Sequence, residues 1–477
     1  MEGLPSNQIL CKERERTHMK ELCIVANKLP VRPVEADSGW QLERGEGGLV
    51  SALSPLLLEH GGLWVGNGQP SQAWDAIRPE IGYDILPVPL PEDVQDGFYA
   101  GFCNATLWPL FHDLLGRSRF DISWWRAYQE ANRLFAEALE EANPPNDIWV
   151  HDYHFLLLPE LLRRERPERY IRFFLHIPFP AFEIFRHIPW RDALLKGLLA
   201  ADEVGVHTAL YRDQLLDAVK RLLGAEYVKG TSVLRPDGSG RCRIRVLPIA
   251  VDTATLAEKA RDDAVHKRIR ELRRPGVSLL LGVDRLDYTK GIPERLLAIE
   301  NFFDRYPEMR TRAVFIQVAV PSRGEVSEYR RHRSTIEELV GHINGRLSTP
   351  DWEPIRYIHR HLEQPELLAL YKAADVALVT PLCDGMNLVA KEFVSAKAGD
   401  PGVLILSEFT GAASELTQSI LVNPHDLERI ADSLYEALRM PVEERRQRMQ
   451  AMFEHLKARN IHAWVNDALR PPLATAS

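Results

Sequence analysis

Residues 376–393 read VALVTPLCDGMNLVAKEF. A short β-branched run is followed by a loop holding Pro381, Asp384, Gly385 and Asn387. A helical pattern carrying Lys391 and Glu392 then begins. An apolar run bounded by turn residues and followed by a helix is the repeating unit of a parallel sheet with helical crossovers. The same unit recurs along the chain. In the first half the strand candidates are LCIVAN (22–27), DIWVH (147–151), IRFFLHI (171–177) and EVGVH (203–207). In the second they are VSLLLGV (277–283), AVFIQVAV (313–320), VALVT (376–380) and VLILS (403–407). Between them lie stretches such as YRDQLLDAVKRLLG and SEYRRHRSTIEELVGHI, with apolar residues three and four apart.

At 477 residues, 45% hydrophobic and 26% charged, the chain is globular by composition and too long for one core. The expected fold is α/β, with two doubly wound lobes facing a cleft. A polar extension (1–20) precedes an N-terminal lobe (21–250). The polar stretch 251–276 opens a C-terminal lobe that runs to 455. The 59 basic and 67 acidic side chains leave a net charge of −8, which argues against general binding to nucleic acid or an anionic membrane. Five scattered cysteines without a CxxC pair suggest neither a disulfide framework nor a zinc site. No apolar run is long enough to span a bilayer, and a cytoplasmic location is expected.

Open α/β sheets bind ligands at the carboxyl ends of their strands, so the residues just after each strand are the candidates. After LCIVAN come Lys28 and the glycine-rich GEGGLVSAL (45–53), where bare N–H groups suit either a phosphate or plain turn geometry. Asp152 and His176 follow their strands as groups able to orient sugar hydroxyls, against the alternatives of a helix cap and a satisfied core residue. Arg285 and Lys290, in GVDRLDYTKG, can converge on a diphosphate or pair with Asp284 and Asp287. Arg323 is a third cation placed the same way. In the opening stretch the N–H groups from Met386 to Val389 suit phosphate oxygens, and Glu392 suits vicinal hydroxyls. The alternatives there are a helix cap for Asp384 and a salt bridge to Lys391 for Glu392.

FCNATLWPLFH, WVHDYH, FFLHIPFP, GVDRLDYTKGIPER, PSRGEV, VTPLCDGMNLVAKEF and SEFTGAASEL, in this order, closely resemble the trehalose-6-phosphate synthase family of retaining glycosyltransferases. The resemblance runs from about residue 22 to the final helix. It implies the GT-B fold of two Rossmann-like lobes, with a C-terminal helix (456–477) crossing back to the N-terminal lobe. Carried over by motif, it implies a donor site of Gly48, His176, Arg285, Lys290, Asp384, Asn387, Leu388, Val389 and Glu392. In the family the arginine and lysine hold the diphosphate of UDP-glucose, the aspartate and histidine contact the glucose, and the glutamate binds the ribose. The implied acceptor site, for glucose 6-phosphate, comprises Tyr99, Trp108, Asp152 and Arg323, with Lys28 standing where the family usually has arginine and Asn67 where it has a second tryptophan.

The implied reaction is glucosyl transfer to give α,α-trehalose 6-phosphate with retention. Asp152, His176, Arg285, Lys290 and Asp384 act at the reaction centre, by charge stabilisation and positioning. No cofactor is implied, and without an Asp-x-Asp pair no metal is expected. The expected partners are UDP-glucose and a sugar-phosphate acceptor, with no nucleic acid, no membrane, and a homo-oligomer left open. The competing readings are a sister enzyme making glucosylglycerol phosphate and a non-catalytic nucleotide-sugar sensor. A nicotinamide oxidoreductase is disfavoured because GEGGLV does not complete the dinucleotide fingerprint.

Overall fold

The computed structural model of the protein describes residues 22–36, 39–45, 48–322 and 327–470. Its two large sheets are each built from apolar runs too uniformly hydrophobic to face water on one side. Along Leu22–Lys28 the first five residues are buried, and along Ala313–Val320 the first seven are. Strands buried on both faces are the mark of parallel sheets covered by helices.

Among the described residues the first sheet has nine strands. From one edge they run Asp84–Val88, Gly62–Asn67, Leu22–Lys28, Asp147–His151, Tyr170–Phe174, Glu203–Val206 and Arg241–Val246, all parallel. Two short antiparallel strands, Ser232–Leu234 and Val228–Lys229, complete the other edge. The second sheet is six parallel strands in the order Ile355–Ile358, Ala313–Val320, Ser278–Arg285, Val376–Val379, Val403–Ser407 and Ile420–Val422.

In each sheet the chain winds outward from a central strand in one direction and then in the other. The reversal lies between Leu22–Lys28 and Asp147–His151 in the first sheet, and between Ser278–Arg285 and Val376–Val379 in the second. Crevices open at such points outside the carboxyl ends of the strands. One apolar cluster joins the sheets, running from Ile24 and Trp149 through Trp464 to Leu281 and Phe393.

Several details differ from the sequence expectation. The polar stretch 251–276 folds mostly as two helices, Thr253–Lys259 and Asp263–Leu272. The C-terminal segment is not one helix from 456: the helix Val442–Ala458 ends first, and Asn460 caps a separate helix, Ile461–Leu469. Trp464 of that last helix packs on Trp149 and Phe174 of the first sheet and donates to the Leu247 carbonyl at 3.1 Å. The N-terminal extension 1–20 lies outside the described residues. Among the described residues no helix is long and apolar enough to cross a membrane.

Candidate active site

Segments that follow strands of the two sheets meet each other. Tyr211, on the helix Ala209–Leu222, donates through its hydroxyl to the Asp384 carbonyl at 3.1 Å, tying the first lobe to the second. Gly385 lies directly against the His176 carbonyl, so closely that a Cβ at this position would fall on it. Only glycine allows that approach of two backbones.

Lys290 and Asp384 form the centre. Lys290 Nζ is 2.5 Å from Asp384 Oδ2, and the Asn387 amide donates to the same oxygen at 3.0 Å. Burial acts to raise the Asp384 carboxyl, but the Lys290 ammonium, with His112 and Asn387, prevails and holds it below the usual aspartate value. The group is therefore a carboxylate, committed to a lysine.

In the second lobe, the competing ion-pair and cap roles left open by the sequence are taken by other residues. Asp284 binds Arg295, while Asp287 accepts from Thr289 and Tyr329, so neither pairs with Lys290. The cap of helix Leu388–Lys397 is Asn387, which accepts from Ala390 N–H at 3.1 Å, so Asp384 is not the cap. Lys391 pairs with Glu415 at 2.5 Å and donates to the Ile249 carbonyl, leaving Glu392 to accept from the Tyr371 hydroxyl at 3.0 Å. Burial raises the Glu392 carboxyl above its usual value. The helix begins at Leu388, so Met386 and Asn387 stand outside its first turn. Leu388 and Val389 hold the first N–H positions, where helices lack internal partners.

Arg285 ends its strand exposed, and among the described residues it makes no ion pair. Its guanidinium lies 5.9 Å from the centre of the Trp108 ring, so a cation of the second lobe faces a tryptophan of the first. Asp152 has φ 76° and ψ 169°, a backbone region almost confined to glycine. Its side chain caps no helix; Oδ1 accepts the His176 amide N–H at 3.2 Å. Asp152 is thus strained directly after its strand, with its carboxylate held against the His176 backbone. The His176 carbonyl accepts from His207 Nε2 at 3.1 Å.

In the first lobe, a cavity of about 490 Å³ is walled by Lys28, Asn67, Tyr99, Gln95, Trp40 and Trp74 among others. Asn67 donates to Gln95, which presents a polar wall. Tyr99 belongs to a π-helical stretch, Asp96–Leu107, and its ring stacks on His154 at 6.0 Å. Such stretches concentrate at functional sites. Trp108 and Asp152 are not among the cavity walls. Gly48 opens the helix Gly48–His60, and Arg323 lies outside the described residues.

The profile of glycosyltransferase family 20 matches residues 20–471. The chain belongs to that family. The trehalose-6-phosphate synthase of Mycobacterium sp. (strain KMS) is 42% identical over 471 residues, 96% of each chain. The chain is 41% identical to α,α-trehalose-phosphate synthase [UDP-forming] A of Dictyostelium discoideum, spanning 62% of that longer protein. Among solved structures, an E. coli protein bound with UDP-2-fluoro glucose superposes with a TM-score of 0.83 at 33% identity, covering 94% of this chain and 99% of that one. The UDP-forming α,α-trehalose-phosphate synthase of Burkholderia xenovorans in complex with glucose-6-phosphate gives 0.81 at 33%, covering 94% and 98%. The two lobes are therefore those of a GT-B glycosyltransferase.

In this family 20 chain, sequence reading missed His151, His207, Tyr211 and Gln95. His151 adjoins Asp152 and was legible as part of WVHDYH. The other three gain their places through contacts between distant elements.

Proposed function

We propose that the chain transfers glucose from UDP-glucose to the anomeric hydroxyl of glucose 6-phosphate, giving α,α-trehalose 6-phosphate with retention. The observation that carries this reading is the Lys290–Asp384 pair at the helix mouth, with an uncommitted Arg285 facing Trp108 from the adjacent strand end. Full-length relatives bear the name of that synthase, and similar structures hold a UDP-glucose analogue and glucose-6-phosphate.

Residues 251–455 bind the donor. Arg285 and Lys290 take the diphosphate, joined by the N–H groups of Leu388 and Val389, the Asn387 turn and Gly48. Asp384 and His176 take the glucose, and Glu392 the ribose. Residues 21–250 bind the acceptor through Lys28, Asn67, Tyr99, Trp108 and Asp152, with Arg323 reaching its phosphate from the second lobe. The bond between the anomeric carbon and the diphosphate oxygen breaks as the acceptor oxygen bonds to the same face. The acceptor's proton passes to the departing diphosphate oxygen, and UDP leaves. The cations stabilise charge that grows as the bond breaks, and the two lobes supply alignment. Asp384 is no free nucleophile, since Lys290 and Asn387 both engage it. Scattered cysteines without a CxxC pair suit a reducing compartment, and we place the protein in the cytoplasm.

An acceptor screen tests the assignment. UDP release from UDP-glucose is expected with glucose 6-phosphate and not with glycerol 3-phosphate. The reverse result would give the chain to the glucosylglycerol-phosphate reaction, with the polar Asn67–Gln95 wall and Lys28 as its acceptor determinants.

A further inference from the structure

His151 ends the strand Asp147–His151 and is fully buried. Its Nδ1 lies 3.1 Å from His176 Nε2, with the two rings 28° from parallel. Burial holds both imidazoles well below the usual histidine range, so both are neutral and each carries one hydrogen. One of the two facing nitrogens donates and the other accepts. If His176 Nε2 donated, the hydrogen of His151 would sit on its own Nε2, which is buried without a partner. An unpaired acceptor is also costly, but native interiors strand a buried N–H less often than they leave an acceptor under-satisfied, which favours a bare lone pair at His151 Nε2.

We propose that His151 is a positioning residue whose Nδ1–H donates to His176 Nε2, fixing His176 as the Nδ1–H tautomer, with that N–H offered to a hydroxyl oxygen of the transferred sugar. The inference rests on the reading that His176 contacts the donor glucose. The rest of His176 is already clamped: its amide N–H is held by Asp152 Oδ1 and its carbonyl by His207 Nε2. These bonds hold the backbone, and His151 sets the tautomer of the ring. His207 provides an internal contrast. Its Nε2 faces a carbonyl and its Nδ1 accepts from Ile249 N–H at 3.4 Å, so it is the Nε2–H tautomer.

The test is ¹⁵N spectroscopy of the full chain labelled at histidine, at neutral pH, with assignments from H151N, H176N and H207N. The expected result is hydrogen on Nδ1 of His151 and His176 and on Nε2 of His207. Hydrogen on His176 Nε2 overturns the proposal, whatever the activity. Turnover is measured in parallel as UDP release. H151N keeps an N–H donor near the position of Nδ1 and is expected to stay within about threefold of the parent in kcat/KM for UDP-glucose. H151L is expected to lose about tenfold in kcat/KM for UDP-glucose, roughly one hydrogen bond's worth. Equal losses in the two variants would overturn the positioning role. A parent protein with the expected tautomers but no UDP release would contradict the proposed function and leave the hydrogen placement supported.

Discussion

Lys290→Ala is expected to lower kcat for glucosyl transfer by about 10³-fold, the upper range for removing one charge-stabilising donor from a water-poor site. The same change is expected to cost about 3–5 kcal/mol of folding stability, because it strands a buried carboxylate. Both expectations follow from one contact, Lys290 Nζ to Asp384 Oδ2 at 2.5 Å, between side chains that are about nine-tenths buried. The two effects separate in the double variant K290A/D384N. A neutral amide no longer needs a cation, so much of the stability returns while transfer stays lost. Chemical denaturation and UDP release measured on the three proteins check this. A K290A variant that keeps nearly full activity would place the diphosphate elsewhere.

The second large effect is on acid stability. Burial pushes His112 down to about 4 and His207 to about 3, from an ordinary value of 6.5. His151 and His176 are lowered in the same way. In each case the unfolded chain takes up its proton first, so stability falls as pH drops through 6.5 and the loss levels off only below the folded value. By pH 5 each of His112 and His207 removes about 2 kcal/mol relative to neutral pH. The carboxyls of Glu392 and Asp284, raised chiefly by burial, act in the opposite sense. His332, lowered to about 4, and His359 join the histidine side and Asp113 the carboxyl side, so among the described residues six lowered histidines stand against three raised carboxyls and a net loss is expected. Asp384 adds its own contribution only below the usual aspartate range, since its carboxyl is depressed. Urea midpoints are expected to drop steeply between pH 6.5 and pH 5. A flat profile over that interval would mean the imidazoles are not buried as described.

The strands that form the site were legible because their burial is written into composition. VSLLLGV and AVFIQVAV are apolar without alternation, as a sheet covered on both faces requires. Gly62–Asn67 and Asp84–Val88 were not legible. GLWVGN carries two glycines, and DILPV contains a proline, so neither shows a strand's local signature. The π-helical stretch Asp96–Leu107 was hidden for a different reason. Its Gly97 and Gly101 sit where a Cβ would strike Ala127 and Trp124, so its conformation answers to a neighbouring helix more than to its own pattern.

The candidate site divides in the same way. Arg285, Lys290, Asp384 and Glu392 could be named from their positions after strands. Their partners could not, because Lys290 and Asp384 lie 94 residues apart, and Lys391 turns from its neighbour Glu392 to Glu415. Which charges are committed and which are free is decided by tertiary contacts. That distinction singles out Arg285, and it separates the Asn387 cap from Asp384.

Product analysis tests the whole account most directly. UDP-glucose and glucose 6-phosphate are incubated with the protein and the anomeric carbons are followed by ¹³C NMR. The account predicts a 1,1-linked disaccharide phosphate with both anomeric centres α, and one UDP released for each disaccharide formed. A β centre at the transferred glucose, or free glucose in place of a disaccharide, would contradict it.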